Sequence, residues 1–306
     1  MKNITIMILG AGGFIGSHLC NSCIQNGATV YALGRNLDNV KIKNQRFIKL
    51  SSNEITEKTL FDVAQPDYVY FLMGAASVAK SIEAPLYDFN QSLPPLLVIL
   101  EKLRKEWIGT RLIFISSAAV YGENASERTS VSSLPMPLSP YGLNKKISET
   151  YVQYYMKHYD ISAKIIRPFS VYGPGLKKQL IWDVLNKIKD KQHHYFGSGN
   201  EMRDWIYIDD FIAVLFNYVS NYALMSDLIN VGTGIPIKVK NVIEQLYTLT
   251  DTFEIPSFSD GGKEGDPKHL VSNYEEQDFL RELLKTPLEL GLRNTVDWFK
   301  NQEEQC

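Results

Sequence analysis

The stretch that decides the fold is ITIMILGAGGFIGSHL, residues 4–19. Its first half is an apolar run typical of a buried strand, and its second half is amphipathic and predicts a helix. Gly10, Gly13 and Gly16 lie at the junction, where glycine permits a tight turn and lets the backbone approach a pyrophosphate. The GxxGxxG spacing therefore predicts a dinucleotide-binding turn, with a turn used only for packing as the alternative.

The first half of the chain alternates short apolar runs with amphipathic stretches. Predicted strands cover residues 4–9, 29–33, 47–50, 68–72, 112–116 and 163–166, and predicted helices cover residues 17–26, 94–106 and 140–159. This alternation predicts an α/β fold, a Rossmann-type doubly wound parallel sheet covered by helices on both faces. We expect residues 1–166, together with about 205–233, to form this domain. The loops rich in Gly and Pro after residue 167 predict a smaller C-terminal α/β region, residues 167–306.

Composition limits the classes of function. The chain has 306 residues, of which 44% are hydrophobic, and its 32 basic and 34 acidic residues give a net charge of −2. This charge balance does not favour a nucleic-acid surface, so we expect a small-molecule partner. No apolar run reaches the ~18 residues that span a bilayer, and we expect a cytoplasmic protein. Cys20 and Cys23 fall inside a predicted helix without further ligands nearby, so no metal site is expected.

A second motif is SPYGLNKKISE, residues 139–149. Tyr141 and Lys145 are four residues apart and share a helix face, so the ammonium can lower a tyrosine pKa that is ordinarily ~10. Such a tyrosine can act as a general acid or base. The preceding IFISSAAVYG places Ser116 and Ser117 at the C-terminal end of a predicted strand, where ligands bind in parallel sheets. A serine hydroxyl there can bind the substrate oxygen that Tyr141 protonates.

Six segments together resemble a known family. They are GAGGFIG, SSAAVYG, YGLNK, RPFSVYGPG, RDWIYIDD and NVGTG, in this order over nearly the whole chain. The set resembles the extended short-chain dehydrogenases/reductases that act on nucleotide sugars. The resemblance implies a Rossmann domain that holds NAD or NADP, a C-terminal region that binds a nucleoside diphosphate sugar, and a homodimer built through helices 94–106 and 140–159. The leucines at 96, 97, 100 and 103 would contribute to that dimer, or else to the core.

The resemblance also implies roles for individual residues. Tyr141 is the expected acid/base, Ser117 the catalytic serine, and Lys145 the ligand of the nicotinamide ribose. The expected cofactor-binding residues are Gly10, Gly13, Phe14, Ile15, Gly16, Arg35, Asn36, Gly74, Lys145 and Pro168. The expected substrate-binding residues are Ser116, Ser117, Ser170, Arg203 and Lys263, where Ser170 and Lys263 replace an asparagine and an arginine common in the family.

A family triplet that serves dehydration is replaced here. The Thr-Asp-Glu of the 4,6-dehydratases falls on Ser117, Ala118 and Ala119, so the side chains that eliminate water are absent. Dehydratase activity is therefore not expected. The nucleotide base and the sugar remain open.

The stretch VYALGRN, residues 30–36, bears on the cofactor. Family members that prefer NAD place an aspartate at the position of Gly34, and Arg35 could bind a 2′-phosphate, so NADP is expected. NAD stays possible if Arg35 points into solvent and Asn36 serves the ribose.

NADP favours net reduction, so the predicted reaction is reduction of the C4 ketone of a nucleoside-diphosphate 4-keto-6-deoxy sugar, with Tyr141 as proton donor. The first alternative is an NAD-dependent 4-epimerase with the same catalytic residues. The second is a non-catalytic dinucleotide sensor, which would have no reason to keep Ser117, Tyr141 and Lys145 together.

Overall fold

A computed structural model of the chain describes residues 3–38, 40, 46–49, 55–60, 63–74, 77–123, 127–259, 267–273 and 278–303. The helices in chain order, α1 to α9, are Phe14–Gln25, Val78–Glu83, Pro85–Lys105, Pro140–Tyr159, Gln179–Lys189, Ile208–Ser220, Val239–Leu249, Asp278–Leu283 and Leu288–Glu303. The strands, β1 to β14, are Thr5–Leu9, Thr29–Gly34, Arg46–Lys49, Tyr68–Phe71, Arg111–Ile115, Ala163–Pro168, Ser170–Tyr172, His194–Tyr195, Met202–Arg203, Trp205–Tyr207, Leu228–Val231, Ile237–Lys238, Ser257–Phe258 and His269–Leu270.

The central sheet has seven strands in the order β11-β6-β5-β4-β1-β2-β3. Neighbours from β3 to β6 pair in parallel, as in Ile6 opposite Val30 and Tyr68 opposite Arg111. The inner strands are almost continuously apolar because helices cover both faces of a parallel sheet. The chain reverses direction of winding between β1 and β4, which makes the carboxyl ends of these strands the expected ligand site. The predicted Rossmann-type fold is confirmed.

The core beside this sheet explains the leucines of α3. Leu96, Leu100 and Leu103 are buried in one cluster with Phe71 and Phe114 of the sheet, while Leu97 is partly buried against it. Their spacing of three and four residues places them on one helix face. They therefore serve the core, which was one of the two alternatives. No helix in the described part of the chain is long and apolar enough to cross a membrane.

Helix α3 is longer than its sequence pattern predicts. It begins at Pro85 and contains Pro94 and Pro95 in its interior, whereas residue 94 was the expected start. Proline removes a backbone N–H and so usually marks the first turn of a helix. Here Pro94 lies on the exposed side, where the carbonyl left without a donor can meet water. The added first half of α3 contains a buried acidic residue, Asp88.

The chain divides into two compact units. The first contains Met1–Val120, Ser139–Arg167 and Leu215–Ile229, and the second contains Tyr121–Leu138, Pro168–Val214 and Asn230–Cys306. Within the second unit, β7 pairs with β10, β8 pairs with β13, and β9 lies between β12 and β14. The predicted assignment of residues 1–166 to cofactor and 167–306 to substrate remains a prediction.

Candidate active site

The glycine turn follows β1 directly. Gly10 has a φ of +88°, and the backbone N–H groups of Gly10 and Ala11 donate to Leu33 O at 2.8 and 3.0 Å. A Cβ on Gly16 would lie 2.1 Å from Gly10 O, so a side chain cannot fit there. These positions need glycine because the backbone of the turn folds back on itself.

Helix α1 begins at this turn without a side-chain cap. Gly13 is the N-cap, Phe14 and Ile15 form the start of the first turn, and that turn contains no acidic residue. Because the first N–H groups of a helix lack intrahelical acceptors and carry partial positive charge, they suit an anion. The turn and the helix start therefore fit a pyrophosphate, as expected for Gly10, Gly13, Phe14, Ile15 and Gly16.

The end of β2 packs against the same turn. A Cβ on Gly34 would lie 2.9 Å from Gly12 N, and a Cβ on Gly12 would lie 1.6 Å from Asn36 O. An aspartate at position 34 would thus press against backbone. Close packing accounts for the missing carboxylate without reference to a 2′-phosphate.

Arg35 and Asn36 follow at the exposed end of β2. Arg35 Nη1 donates to the hydroxyl of Tyr87 on α3 at 3.0 Å. Asn36 Oδ1 accepts from the backbone N–H of Asp38 at 2.8 Å. Arg35 therefore lies beside the predicted dinucleotide turn, and its side chain is hydrogen-bonded to Tyr87.

Helix α4 positions the predicted catalytic pair. Ser139 is its N-cap and accepts from Gly142 N at 3.2 Å, and Pro140 occupies the first turn. Both residue types are typical of helix starts. The backbone N–H of Tyr141, which has no intrahelical acceptor, donates to Ser81 Oγ on α2 at 3.1 Å. Tyr141 thus lies in a fixed first turn.

The Ser117 side chain lies within hydrogen-bonding reach of Tyr141, which brings together two of the predicted catalytic residues. Burial raises the pKa of Tyr141, the hydrogen bond from Ser117 lowers it, and the charge of Asp88 raises it. The net direction is upward, so the expected lowering of this pKa below its ordinary value is wrong. In the protein alone, burial outweighs the hydrogen bond.

Lys145 is one helical turn further along α4 and is 5% exposed. Its Nζ donates to Ile115 O at 2.8 Å and to Met73 O at 3.4 Å. Burial lowers the pKa of Lys145 to about 8, and the charges of Asp88 and Glu149 oppose this shift. Gly74, with a φ of +133°, lies beside it, and a Cβ there would lie 3.6 Å from Nζ. Lys145 and Gly74 therefore lie together, as the cofactor prediction requires.

The sequence did not predict a buried ion pair between Arg167 and Glu149, which lies one helical turn after Lys145. Arg167 Nε donates to Glu149 Oε1 at 2.8 Å and Arg167 Nη2 donates to Oε2 at 2.6 Å. Ser116 Oγ donates to the same carboxylate. Ser116 is thereby bound to Glu149, whereas Ser117 is the serine that lies near Tyr141. The signal was available, since Glu149 follows Lys145 at the spacing of four that separates Lys145 from Tyr141.

Asp88 and Asn144 were also missed. Asn144 Nδ2 donates to Asp88 Oδ2 at 2.6 Å, and both side chains are buried. No sequence signal marked Asp88, because it falls in the half of α3 that the two prolines concealed.

Four predicted site residues remain, and three of them, Pro168, Ser170 and Arg203, lie in the second unit. Pro168 ends β6, Ser170 N donates to Asp204 O at 2.9 Å, and Arg203 Nη1 donates to Met202 O at 2.8 Å. Lys263 lies outside the described residues. The roles proposed for these residues remain predictions.

Asp204, next to Arg203, is a buried centre of hydrogen bonds within the second unit. Its Oδ1 accepts from Thr233 N and Oγ1 at 2.8 and 2.7 Å. Its Oδ2 accepts from Gly234 N at 2.9 Å and from Ser272 N and Oγ at 3.1 and 2.6 Å. The carboxylate thus fixes two loops. Across the described ranges, no group of three His, Cys, Asp or Glu side chains could hold a metal ion.

Full-length relatives are similar to this chain. A putative UDP-glucose 4-epimerase of Methanocaldococcus jannaschii is 29% identical over 97% of this chain and 98% of its own length. The structure of UDP-glucose 4-epimerase from Thermotoga maritima with UDP-glucose is 28% identical, with a TM-score of 0.87 and coverage of 98% of this chain and 100% of that one. The structure of UDP-glucuronic acid 4-epimerase from Bacillus cereus with UDP-glucuronic acid and NAD is 25% identical, with a TM-score of 0.84 and coverage of 98% and 100%.

These similarities correct the predicted reaction. NADPH-dependent reduction of a 4-keto-6-deoxy sugar was expected, but the similar proteins are 4-epimerases of UDP-sugars. The expectation rested on the missing carboxylate at Gly34, for which the packing against Gly12 gives a different reason. The 4-epimerase alternative fits better.

The model of one family matches residues 6–232, which include the glycine turn, Ser117, Tyr141 and Lys145. This match confirms the resemblance to enzymes of nucleotide sugars that use a nicotinamide dinucleotide. The chain belongs to the NAD dependent epimerase/dehydratase family.

Proposed function

We propose that the protein inverts the configuration at C4 of a UDP-sugar. The observation that carries the proposal is the proximity of Ser117 to Tyr141, combined with full-length similarity to UDP-sugar 4-epimerases. An epimerase oxidises and reduces the same carbon, so it needs an acid/base that works in both directions. Tyr141 meets that requirement.

The cofactor we propose is NAD, retained through the whole turnover. When bound, NAD would supply a hydride acceptor for oxidation at C4 and a hydride donor for the reduction that gives the inverted alcohol. Two parts of this chain fit the dinucleotide. One is the uncapped start of α1, and the other is the region around Gly74 and Lys145. Arg35 supports the predicted preference for NADP, and Tyr87, which binds it, opposes that preference. Bound-nucleotide analysis decides between them.

The residues of the first unit act on the proton. Tyr141 would accept the proton of the C4 hydroxyl during oxidation and donate it back during reduction. The single O–H of Ser117 would donate to whichever of these two oxygens carries the negative charge, and so stabilise it. The Lys145 ammonium would bind the nicotinamide ribose, as the family resemblance implies.

Dehydration is the other reaction of the family, and the site does not support it. Ala118 and Ala119 begin the short helix Ala118–Val120 directly after Ser117. Alanine has no group that moves a proton, so nothing at these positions can assist loss of water. This difference favours epimerisation.

For the substrate we propose that residues of the second unit bind the nucleoside diphosphate. The candidates are those that the family resemblance implies, Ser170, Arg203 and Lys263. Arginine suits a diphosphate because its guanidinium can bind two oxygens at once. Replacing Arg203 by Ala is expected to raise KM more than it lowers kcat.

The experiment that tests the function offers purified protein UDP-glucose, UDP-glucuronic acid and UDP-N-acetylglucosamine separately, with no added reductant. We expect one of them to equilibrate with its 4-epimer, detected by anion-exchange chromatography. Tyr141→Phe should lower the rate by about a hundredfold or more, whereas Tyr154→Phe, an exposed tyrosine of the same helix, should leave it unchanged. Product formation only with added NADPH would contradict the proposal. Mass spectrometry of the nucleotide released on denaturation identifies NAD or NADP.

We also propose the homodimer that the resemblance implies, in the cytoplasm. The leucines first considered for its interface lie in the core, but α3 and α4 carry other exposed apolar side chains, namely Leu86, Phe89, Leu143, Tyr151 and Tyr154. A dimer would remove these from water. Light scattering during size-exclusion chromatography measures the mass, and Tyr151→Arg is expected to shift it toward the monomer.

A further inference from the structure

Asp88 is a buried carboxylate that its own hydrogen bonds do not satisfy. It lies on α3, is 1% exposed, and accepts one hydrogen bond, from Asn144. Its Oδ1 is buried without a hydrogen-bond partner. Burying a charge without a compensating partner is costly in free energy, more so than burying a neutral polar group. A carboxylate at this position therefore requires a compensating positive charge.

The compensating charge is the ammonium of Lys145, which follows Asn144 on α4. Its nitrogen donates to two neutral carbonyls, those of Ile115 and Met73, and makes no ion pair within the described part of the chain. The carboxyl of Asp88 has a pKa raised by burial, and Asn144 and Lys145 pull it down. The two buried charges therefore stabilise each other without forming an ion pair.

The side chains of Ser92 and Lys145 lie together beside Gly74. A Cβ on Gly74 would lie 3.1 Å from Ser92 Oγ and 3.6 Å from Lys145 Nζ. Ser92 is one turn after Asp88 on α3, is 3% exposed, and its hydroxyl is likewise buried without a partner. Incompletely bonded polar atoms of α3 therefore face the ammonium of α4.

The other charged groups around Lys145 are already balanced or exposed. Glu149, on the same helix, is bound by both arms of Arg167 from β6. Lys80 and Glu83 of α2 are exposed to solvent. The short helix Ala118–Val120 contributes no titratable side chain. Asp88 is thus the carboxylate whose charge is balanced chiefly by Lys145.

We propose that Asp88 is a positioning residue of the active site, a buried counter-charge that favours the protonated forms of both Lys145 and Tyr141 and thereby sets the pH range in which Tyr141 works. This role deepens the proposed epimerase function, on which its catalytic consequence rests. Loss of the Asp88 charge lowers the pKa of Lys145 and of Tyr141, because both are raised by that charge. The pH profile should then move as a whole toward acid.

The first test needs no substrate. Tyrosine labelled with ¹³C in the ring reports phenol ionisation by NMR, and the Tyr141 signal is assigned by its loss in Tyr141→Phe. In Asp88→Asn we expect the pKa of Tyr141 to fall by about one unit, the size that a single charge produces across a partly screened interior. The matched control is Asp227→Asn, which removes the carboxylate that pairs with another largely buried lysine, Lys164, at 2.9 Å. It should leave Tyr141 unchanged.

The second test measures kcat/KM against pH for the epimerisation. A shift of the profile toward acid in Asp88→Asn, with Asp88→Glu close to the wild type, supports the role. Equal loss of rate at every pH, or an unchanged Tyr141 titration, overturns it. If Asp88→Asn does not fold, the reciprocal measurement applies, since Lys145→Met should raise the pKa of the Asp88 carboxyl. Absence of epimerase activity in the wild type defeats the proposed function, while the NMR titration still decides the role of Asp88.

Discussion

Two buried aspartates, Asp204 in the second unit and Asp88 in the first, differ in how their charge is satisfied. Asp204 is 0% exposed and accepts five hydrogen bonds from three residues. Asp88 accepts one, and one of its oxygens has no partner. A fully hydrogen-bonded carboxylate stabilises the fold, because its oxygens hold backbone N–H groups and hydroxyls in place. A carboxylate left incompletely bonded beside a lysine can act on that lysine.

The largest effect should come from removing the fully bonded carboxylate. Asp204→Ala leaves the backbone N–H groups of Thr233, Gly234 and Ser272 without acceptors in a buried place. At ~1–3 kcal/mol for each unsatisfied group, we expect the free energy of unfolding to fall by about 5 kcal/mol. Urea denaturation followed by circular dichroism measures it, with Asp297→Ala, which changes an exposed aspartate of α9, as the control. A loss below about 1 kcal/mol would show that Asp204 contributes no more to stability than an ordinary surface residue.

The second-largest loss of stability should come from breaking the buried Glu149–Arg167 ion pair of the first unit. Glu149→Gln leaves Arg167 charged and buried with weaker acceptors, and breaking a buried pair from one side costs ~3–5 kcal/mol. We expect a loss near the lower end, about 3 kcal/mol, because the glutamine oxygen can still accept from Arg167. The control Glu289→Gln breaks an exposed pair with Arg293 and should change stability by less than about 0.5 kcal/mol. Similar losses in the two variants would show that burial of the pair is unimportant.

The incompletely bonded carboxylate should matter least for stability. Asp88→Asn removes a charge that burial disfavours, as its raised pKa indicates, and keeps the shape of the side chain. We expect the free energy of unfolding at pH 7 to change by less than about 1 kcal/mol. The direction follows from linkage: because folding raises the carboxyl pKa, the folded state binds this proton more tightly than the unfolded state, and the ionised carboxylate is unfavourable for stability at pH 7. A loss comparable to that of Asp204→Ala would make Asp88 a structural residue.

The smallest expected effect is a dependence of dinucleotide affinity on pH. Burial lowers the pKa of Lys145 to about 8, so the fraction with an ammonium declines as the pH rises through that value. If the ammonium binds the ribose, dinucleotide affinity should fall by up to about tenfold between pH 7 and pH 9. Isothermal titration calorimetry measures this fall, which should be absent in Lys145→Met. In Asp88→Asn the fall should begin at lower pH.

The sheet could be predicted because its strands are short, apolar and separated by amphipathic stretches, and the observed β1 to β6 agree with the expected ranges within two residues. Helix α4 was predictable because Ser139 and Pro140 mark its start. The start of α3 was not, since Pro94 and Pro95 imitate a helix beginning, and Asp88 was hidden with it. The reaction was predicted wrongly because Gly34 was interpreted through charge, whereas its position depends on the space beside Gly12. Three-dimensional packing of this kind leaves no pattern in one sequence.

The first unit is assembled from three separated stretches, which has a consequence for synthesis on the ribosome. The hydroxyls of Tyr68 and Tyr70 donate to carbonyls of Val219 and Leu215, residues that emerge long after β4. A nascent chain therefore carries an unfinished sheet through the synthesis of most of its length, with an edge open to wrong pairing. Chains released early, before about residue 230, should be the ones that chaperones and proteases remove first.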